Sequence, residues 1–113
     1  MKSLRAHKAS LNRLPSGHLG QTLLASGQEL AMRFWQVDPS VKLSSNLSQD
    51  YEAVGYVLEG QAELYVDSKV ITLMPGDAWI IPAGAVYTYR VLKPFKAVEV
   101  VHPPRYSHRH SFA

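Results

Sequence analysis

The sequence predicts an all-β domain, built as a closed antiparallel barrel or a jelly roll. Its 113 residues divide into short runs of strand-forming residues, separated by turns rich in glycine, proline and aspartate, which is the spacing typical of such folds. No segment keeps the apolar period of a strong helix. With 46% hydrophobic residues, the chain is long enough to bury one core without disulfides or metals as staples.

Nine strands are predicted along the chain. Apart from a weaker, polar segment at residues 41–48, each is rich in β-branched, aromatic or other apolar residues and is bounded by turn signals. Alternation is clearest in residues 62–67, where every second residue is apolar, as in a strand with one buried face. The predicted strands cover residues 22–25, 30–37, 41–48, 54–58, 62–66, 69–73, 79–81, 86–92 and 95–101.

The charge distribution predicts a basic N-terminal arm at residues 1–18, a barrel at 19–102 and a flexible C-terminal tail at 103–113. The arm holds four bases and no acid, whereas the barrel holds six bases and nine acids. A nucleic-acid-binding protein would show a basic stripe on its folded surface, but here the basicity lies at the chain ends. We therefore expect no nucleic-acid partner, although the net charge is +3.

Cysteine is absent from the chain, which excludes disulfides, thiolate metal sites and thiol nucleophiles, and fits a cytoplasmic location. No window approaches the roughly 18 apolar residues of a membrane span. The basic N-terminus is followed at residues 6–10 by AHKAS rather than by an apolar stretch, so a signal peptide is not expected. We expect a cytoplasmic protein without a membrane partner.

Two segments resemble the two sequence signatures of the cupin family. The first, YVLEG, ends at Gly60, and the second, GDAWIIPAG, begins sixteen residues later at Gly76 and includes Pro82 and Gly84. The glycines supply turn geometries and the proline fixes one φ angle. The match covers about residues 41–92. This resemblance implies the cupin double-stranded β-helix, a jelly-roll-like antiparallel barrel.

The same resemblance implies a divalent metal held by three histidines and a glutamate. This chain has Asn46, Ser48, Ala53 and Tyr87 at those four places. An amide, a hydroxyl, a methyl group and a protonated phenol are weak or absent ligands for first-row metals. We therefore predict no metal, no cofactor and no catalytic residue of the metal-dependent kind.

The altered interior predicts a site for an unidentified small molecule. If Tyr87 faces inward, Tyr89 does too, because alternate strand residues share a face, and the small Ala53 and Gly55 leave space beside them. Glu52 would join them only if a β-bulge turned it inward. The tyrosines could equally fill the barrel as a packed core. The candidate ligand-binding residues are Trp35, Asn46, Ser48, Glu52, Tyr87 and Tyr89.

We expect a small-molecule-binding protein rather than a catalyst, and two alternatives stay open. One is a metal-dependent oxygenase or isomerase whose site is rebuilt from Glu52 and the terminal histidines His108 and His110. The other is an interaction or scaffold protein with a filled barrel and a basic arm for an acidic partner. Cupins of this size are commonly dimers, and open strand edges have to be covered, so we expect a homodimer.

Overall fold

The structure is a computed structural model that describes residues 6–13, 20–39, 47–48 and 50–104. The described residues contain seven strands and one turn of 3-10 helix at Leu11–Arg13, and no α-helix, which confirms the predicted all-β class. The strands are β1 (Gln21–Ser26), β2 (Ala31–Val37), β3 (Leu47–Ser48), β4 (Glu52–Val66), β5 (Lys69–Leu73), β6 (Ala78–Ile81) and β7 (Val86–His102).

All seven strands join one antiparallel sheet in the order β1-β2-β7-β4-β5, with β3 added to β7 and β6 added to β4. The two long strands, β4 and β7, pair from Glu52–His102 to Val66–Tyr87. The first half of β4 lies between β6 and β7, and its second half lies between β5 and β7. The β4–β7 pair therefore runs the full length of the sheet and carries inward-facing residues in both halves.

The predicted breaks at Glu59-Gly60 and Lys93-Pro94 are bulges rather than turns, so four predicted strands fuse into β4 and β7. The pairing between these strands shifts register between Val57 and Ala62. Gly60 has a φ of 89° and lies so close to the Pro94 carbonyl that a Cβ atom there would collide with it. Glycine is therefore required where the two long strands bend past each other.

Aromatic side chains fill one part of the barrel interior. Trp35 makes edge-to-face contacts with Tyr89 at 5.0 Å, with Trp79 at 6.2 Å and with Phe95 at 6.4 Å between ring centroids. The Trp79 ring lies over Gly55, where a Cβ atom would collide with it. The expectation that Gly55 leaves space beside the tyrosines is therefore wrong, because Trp79 occupies that space.

Within the described part of the chain, no helix is long and apolar enough to cross a membrane.

Candidate functional site

A buried ion pair lies inside the barrel between β2 and β7. Arg33 and Glu99 are register partners, and Arg33 Nη2 lies 2.8 Å from Glu99 Oε1. Trp35 Nε1 donates a hydrogen bond to the same oxygen at 3.1 Å, and Arg33 Nη2 also donates one to the Tyr51 hydroxyl at 3.2 Å. Arg33, Tyr51 and Glu99 are each at most 2% exposed. A charged network is thus enclosed among aromatic residues.

Each charge of this pair affects the pKa of the other side chain. Burial raises the pKa of the Glu99 carboxyl, and this effect outweighs the opposing effects of Arg33 and Trp35. Burial alone would lower the pKa of Arg33, but the neighbouring Glu99 and Tyr51 more than offset that effect and the net pKa is raised. The guanidinium therefore stays charged, and Glu99 depends on it for the stability of its carboxylate.

Tyr87 lies within electrostatic reach of this network. Burial raises the pKa of its phenol far above the ordinary value of 10.0, Tyr51 and Glu99 raise it further, and Arg33 opposes them. The Tyr87 hydroxyl therefore stays protonated and remains a hydrogen-bond donor at neutral pH. We call Arg33, Tyr51, Tyr87 and Glu99 the interior polar group.

Tyr89 belongs to the aromatic packing beside this group. Its ring lies 5.5 Å from that of Tyr87, and its hydroxyl accepts a hydrogen bond from Trp79 Nε1 at 3.1 Å. Both tyrosines are buried, so the expectation that Tyr87 and Tyr89 share the inward face is confirmed. Burial also raises the pKa of Tyr89 well above 10.0.

Gln21 is a second buried polar residue of the interior. It is the register partner of Trp35 and is 0% exposed. Neither atom of its amide has a hydrogen-bond partner among the described residues. A buried polar atom without a partner costs about 1–3 kcal/mol, so this amide keeps a donor and an acceptor for a group outside the described residues.

A cavity of about 380 Å³ reaches the interior polar group at Tyr87. It lies between the β4–β5 turn and the beginning of β7, and its lining includes Tyr65, Asp67, Lys69 and Thr88. A larger cavity of about 720 Å³ is lined by residues of the arm and of β1 and β2, including Asn12, Thr22, Phe34 and Asp38. The smaller cavity adjoins a predicted site residue, and it has the size of a small-ligand site.

The structure brings together some of the predicted site residues and not others. Trp35, Tyr87 and Tyr89 lie together in the interior, as expected. Glu52 is exposed and pairs with His102 in regular register, so the bulge that would turn it inward is absent and its predicted place in the ligand site is wrong. The Ser48 backbone pairs with Val86. The Ser48 side chain, Asn46, His108 and His110 lie outside the described residues.

The described interior does not fit the divalent metal that the resemblance implies. Ala53 is fully buried but carries no donor atom, and the phenol of Tyr87 stays protonated. The described ranges contain no group of three or more histidine, cysteine, aspartate or glutamate residues that could hold a metal ion. Glu99 is held by Arg33 and Trp35, so it contributes to a hydrogen-bonded pair rather than to a metal shell.

Arg33, Glu99, Tyr51 and Gln21 were not among the residues predicted from the sequence. A usable signal exists for the ion pair: Arg33 interrupts the strand LAMRFWQV and Glu99 interrupts the strand AVEVV, each at an inward position of an apolar run. Two opposite charges at inward positions of strands that pair indicate a buried ion pair. The pairing of β2 with β7 was needed to recognise it.

The chain belongs to the cupin family: a family model described as "Cupin domain" matches residues 33–102. The search of curated proteins found no match. Among solved structures, KdgF from Halomonas sp. superposes with a TM-score of 0.77 at 18% identity, over 89% of this chain and 96% of that chain. An RmlC-like cupin from Shewanella frigidimarina gives 0.78 at 18% identity, over 89% and 94%.

A third similar structure is a variant of Streptomyces PAC13 solved with uridine. It superposes with a TM-score of 0.76 at 14% identity, over 95% of this chain and 88% of that chain. At these identities the comparisons establish the cupin fold, which confirms the family and the fold class that the two sequence signatures imply.

Proposed function

We propose that this cupin binds a small, neutral, hydrogen-bonding molecule in its barrel without a metal. The observation that carries the proposal is the interior polar group, which the 380 Å³ cavity reaches at Tyr87. Small-molecule sites are mostly apolar pockets with a few convergent polar groups, and this cavity meets the aromatic and polar interior at the Tyr87 side chain.

Stability alone does not account for the ion pair. Replacing a buried ion pair with apolar residues of similar volume is often neutral or stabilising, whereas Arg33 and Glu99 occupy positions that an apolar core could fill. The amide of Gln21 adds a further polar group, for which the described residues supply no hydrogen-bond partner. Together these groups support recognition of a ligand as the reason why the interior is polar.

The charge balance of the interior favours a neutral ligand. Arg33 and Glu99 neutralise each other at 2.8 Å, so a charged ligand would be buried beside charges that already cancel. The aromatic rings of Trp35 and Tyr89 lie directly beside this pair and beside Tyr87. A neutral sugar or nucleoside suits both features, and the solved PAC13 variant with uridine supports uridine as one test compound.

Binding suits these side chains better than catalysis. Tyr87 and Tyr89 stay protonated at neutral pH because burial raises their pKa values. Glu99, the carboxyl of the interior polar group, accepts hydrogen bonds from Arg33 and Trp35. A general base needs a pKa near the working pH and access to the substrate proton, and none of these three side chains offers both.

Thermal shift measurements with matched compound pairs test this proposal. The neutral compounds are small sugars and nucleosides, including glucose and uridine. We expect at least one of them to raise the midpoint temperature of unfolding of the EDTA-treated protein. Their charged counterparts, such as glucuronate and uridine monophosphate, should leave it unchanged. Tyr87→Phe removes one hydroxyl and should weaken binding by about 2- to 12-fold, the worth of one hydrogen bond. The proposal fails if no neutral compound shifts the wild-type protein.

Gln21→Met tests whether the buried amide is unsatisfied. Methionine has similar length and no hydrogen-bonding requirement, so we expect it to stabilise the ligand-free protein by about 1–3 kcal/mol while weakening binding of the neutral compound. The measurement is urea denaturation of both proteins without ligand. A variant less stable than wild type would show that the chain or bound water already satisfies the amide.

The aromatic cluster favours a second candidate, an interaction or scaffold protein with a filled barrel. Trp35, Trp79, Tyr89 and Phe95 pack against one another in the interior. In that case no compound would shift the midpoint, and cross-linking through the basic arm would capture an acidic protein partner. The cysteine-free composition supports a cytoplasmic place of action for either candidate, which cell fractionation would test.

A further inference from the structure

The larger cavity, of about 720 Å³, lies outside the barrel, and we call it the outer cavity. The turn of 3-10 helix at Leu11–Arg13 supplies one wall, through Leu11 and Asn12. The other wall and the floor come from β1, β2 and the residues next to them, namely Gly20, Thr22, Phe34, Gln36 and Asp38.

The pairing of β1 with β2 places the outer cavity on the side of the sheet that faces away from the interior polar group. Thr22 and Phe34 are register partners, and successive residues of a strand point to opposite faces. The neighbouring pair, Gln21 and Trp35, lies in the interior. The sheet therefore separates the outer cavity from the site proposed for the barrel.

The floor of the outer cavity carries a buried hydroxyl group. Thr22 is 8% exposed and Phe34 is 9% exposed. Within the described part of the chain, no hydrogen bond to the Thr22 hydroxyl is found. A buried polar group is unfavourable unless it is hydrogen-bonded, so this hydroxyl keeps a donor and an acceptor for a group outside the described residues.

The rim of the outer cavity carries three further polar side chains, those of Asn12, Gln36 and Asp38. All three residues are exposed, and none forms a hydrogen bond or an ion pair through its side chain with another described residue. Asp38 is the one charged residue among the described residues that line the cavity. With the Thr22 hydroxyl, four side chains offer oxygen acceptors around one carboxylate.

We propose that the outer cavity binds a small organic amine with an apolar body. A protonated amine carries one positive charge and three N–H donors, which match a set of acceptors around a single carboxylate. The apolar body lies against Phe34 on the floor and Leu11 on the wall. Leu11 is 42% exposed, so such a ligand also removes apolar surface from water. The cavity volume lies within the range of small-ligand sites.

The same side chains disfavour an anion. A carboxylate or phosphate would lie beside the Asp38 carboxylate and would be repelled by it. Lys8, the described base of the preceding segment, is not among the described residues that line the cavity, so no described cation offsets this repulsion there. The charge of the lining therefore selects ammonium over carboxylate.

Three compounds that share a phenylethyl body test the proposal on the full chain. Phenethylamine carries an ammonium group, phenylethanol a hydroxyl and phenylpropionate a carboxylate. Nuclear magnetic resonance of isotope-labelled protein at neutral pH should show that phenethylamine shifts the backbone amide signals of Thr22 and Gln36. We expect it to bind about 10-fold more tightly than phenylethanol, because a hydrogen bond to a charged group is stronger than a neutral one. Phenylpropionate should leave these signals unchanged.

Two variants test the groups that recognise the amine. Asp38→Asn keeps the shape and removes the charge, so it should weaken phenethylamine binding by about 10-fold or more. Thr22→Val replaces the hydroxyl with a methyl group and should weaken binding by about 2- to 12-fold. It should not lower the urea midpoint, since no hydrogen bond to a described residue is lost.

Matched controls show whether these effects belong to the outer cavity. Glu52→Gln and Thr72→Val change exposed residues that do not line the cavity, so both should bind phenethylamine as wild type does. Tyr87→Phe should do so too, because Tyr87 lies in the barrel. The proposal is overturned if phenethylamine leaves the signals of Thr22 and Gln36 unchanged, if it binds no more tightly than phenylethanol, or if Asp38→Asn binds it as tightly as Glu52→Gln.

Discussion

Replacing Arg33 with methionine tests the ion pair at the centre of the barrel. The substitution keeps an unbranched side chain of similar length but leaves the Glu99 carboxylate buried without its counter-ion. The Tyr51 hydroxyl also loses the hydrogen bond that it accepts from Arg33. We expect Arg33→Met to lower the free energy of unfolding by about 3–5 kcal/mol, which is the usual cost of breaking a buried pair.

The double variant Arg33→Met/Glu99→Met removes both charges and shows whether the fold needs the ion pair. Removing both charges restores an apolar interior, which is often neutral or stabilising by about 1–4 kcal/mol. Trp35 Nε1 then lacks its acceptor, which costs about 1–3 kcal/mol. These effects nearly cancel, so the double variant should unfold within about 2 kcal/mol of wild type, although each single variant is strongly destabilised.

Urea denaturation followed by circular dichroism measures all four proteins of this cycle. The expected coupling between Arg33 and Glu99 is at least about 4 kcal/mol, because the single losses of about 3–5 kcal/mol each do not add. A double variant whose free energy of unfolding falls by the sum of the two single losses would contradict this coupling. It would show that the two side chains stabilise the fold independently and that the pair is not replaceable by apolar packing.

Two further predictions concern the interior. Gly55→Ala places a methyl group against the Trp79 ring and should cost about 1–3 kcal/mol by overpacking, whereas Gly27→Ala, which meets only the Leu30 carbonyl at 3.6 Å, should unfold like wild type. Equal urea midpoints for these two variants would contradict the close packing of the Trp79 ring on Gly55. Burial raises the pKa of Glu99 above 4.5, so the stabilisation from its bound proton is complete below that pH and is lost as pH rises through the folded-state pKa. Glu99→Gln cannot titrate at this position, so its stability should not show this loss as pH rises. The measurement is the thermal unfolding midpoint of variant and wild type between about pH 4 and pH 8. If the two midpoints change with pH in the same way, the predicted titration of Glu99 is contradicted.

The fold could be predicted from local signals because they agree with one another. The alternation in residues 62–67 and the turn residues define strands, and Gly60, Gly76, Pro82 and Gly84 have the spacing of the cupin signatures. Four predicted strands are two strands in the structure, because the segments around Gly60 and Pro94 form bulges and not turns. Whether a glycine begins a turn or a bulge depends on the strand opposite, which local sequence does not specify.

The site was only partly predictable because it depends on contacts between distant strands. The inward side of Tyr87 and Tyr89 follows from alternation, and the buried side of Trp35 follows from its place in an apolar strand. The meeting of Arg33 with Glu99 requires the register between β2 and β7, which spans 66 residues of sequence. Glu52 was misplaced because its orientation depended on a bulge that the regular pairing with His102 excludes.

The most direct test of metal-free binding is calorimetric titration of the neutral compounds into EDTA-treated wild type and the Arg33→Met/Glu99→Met variant. We predict that at least one neutral compound binds the metal-free wild type and that the folded double variant does not bind it. Binding that requires added divalent metal, or that survives unchanged in the double variant, would contradict the assignment of the site to the interior polar group.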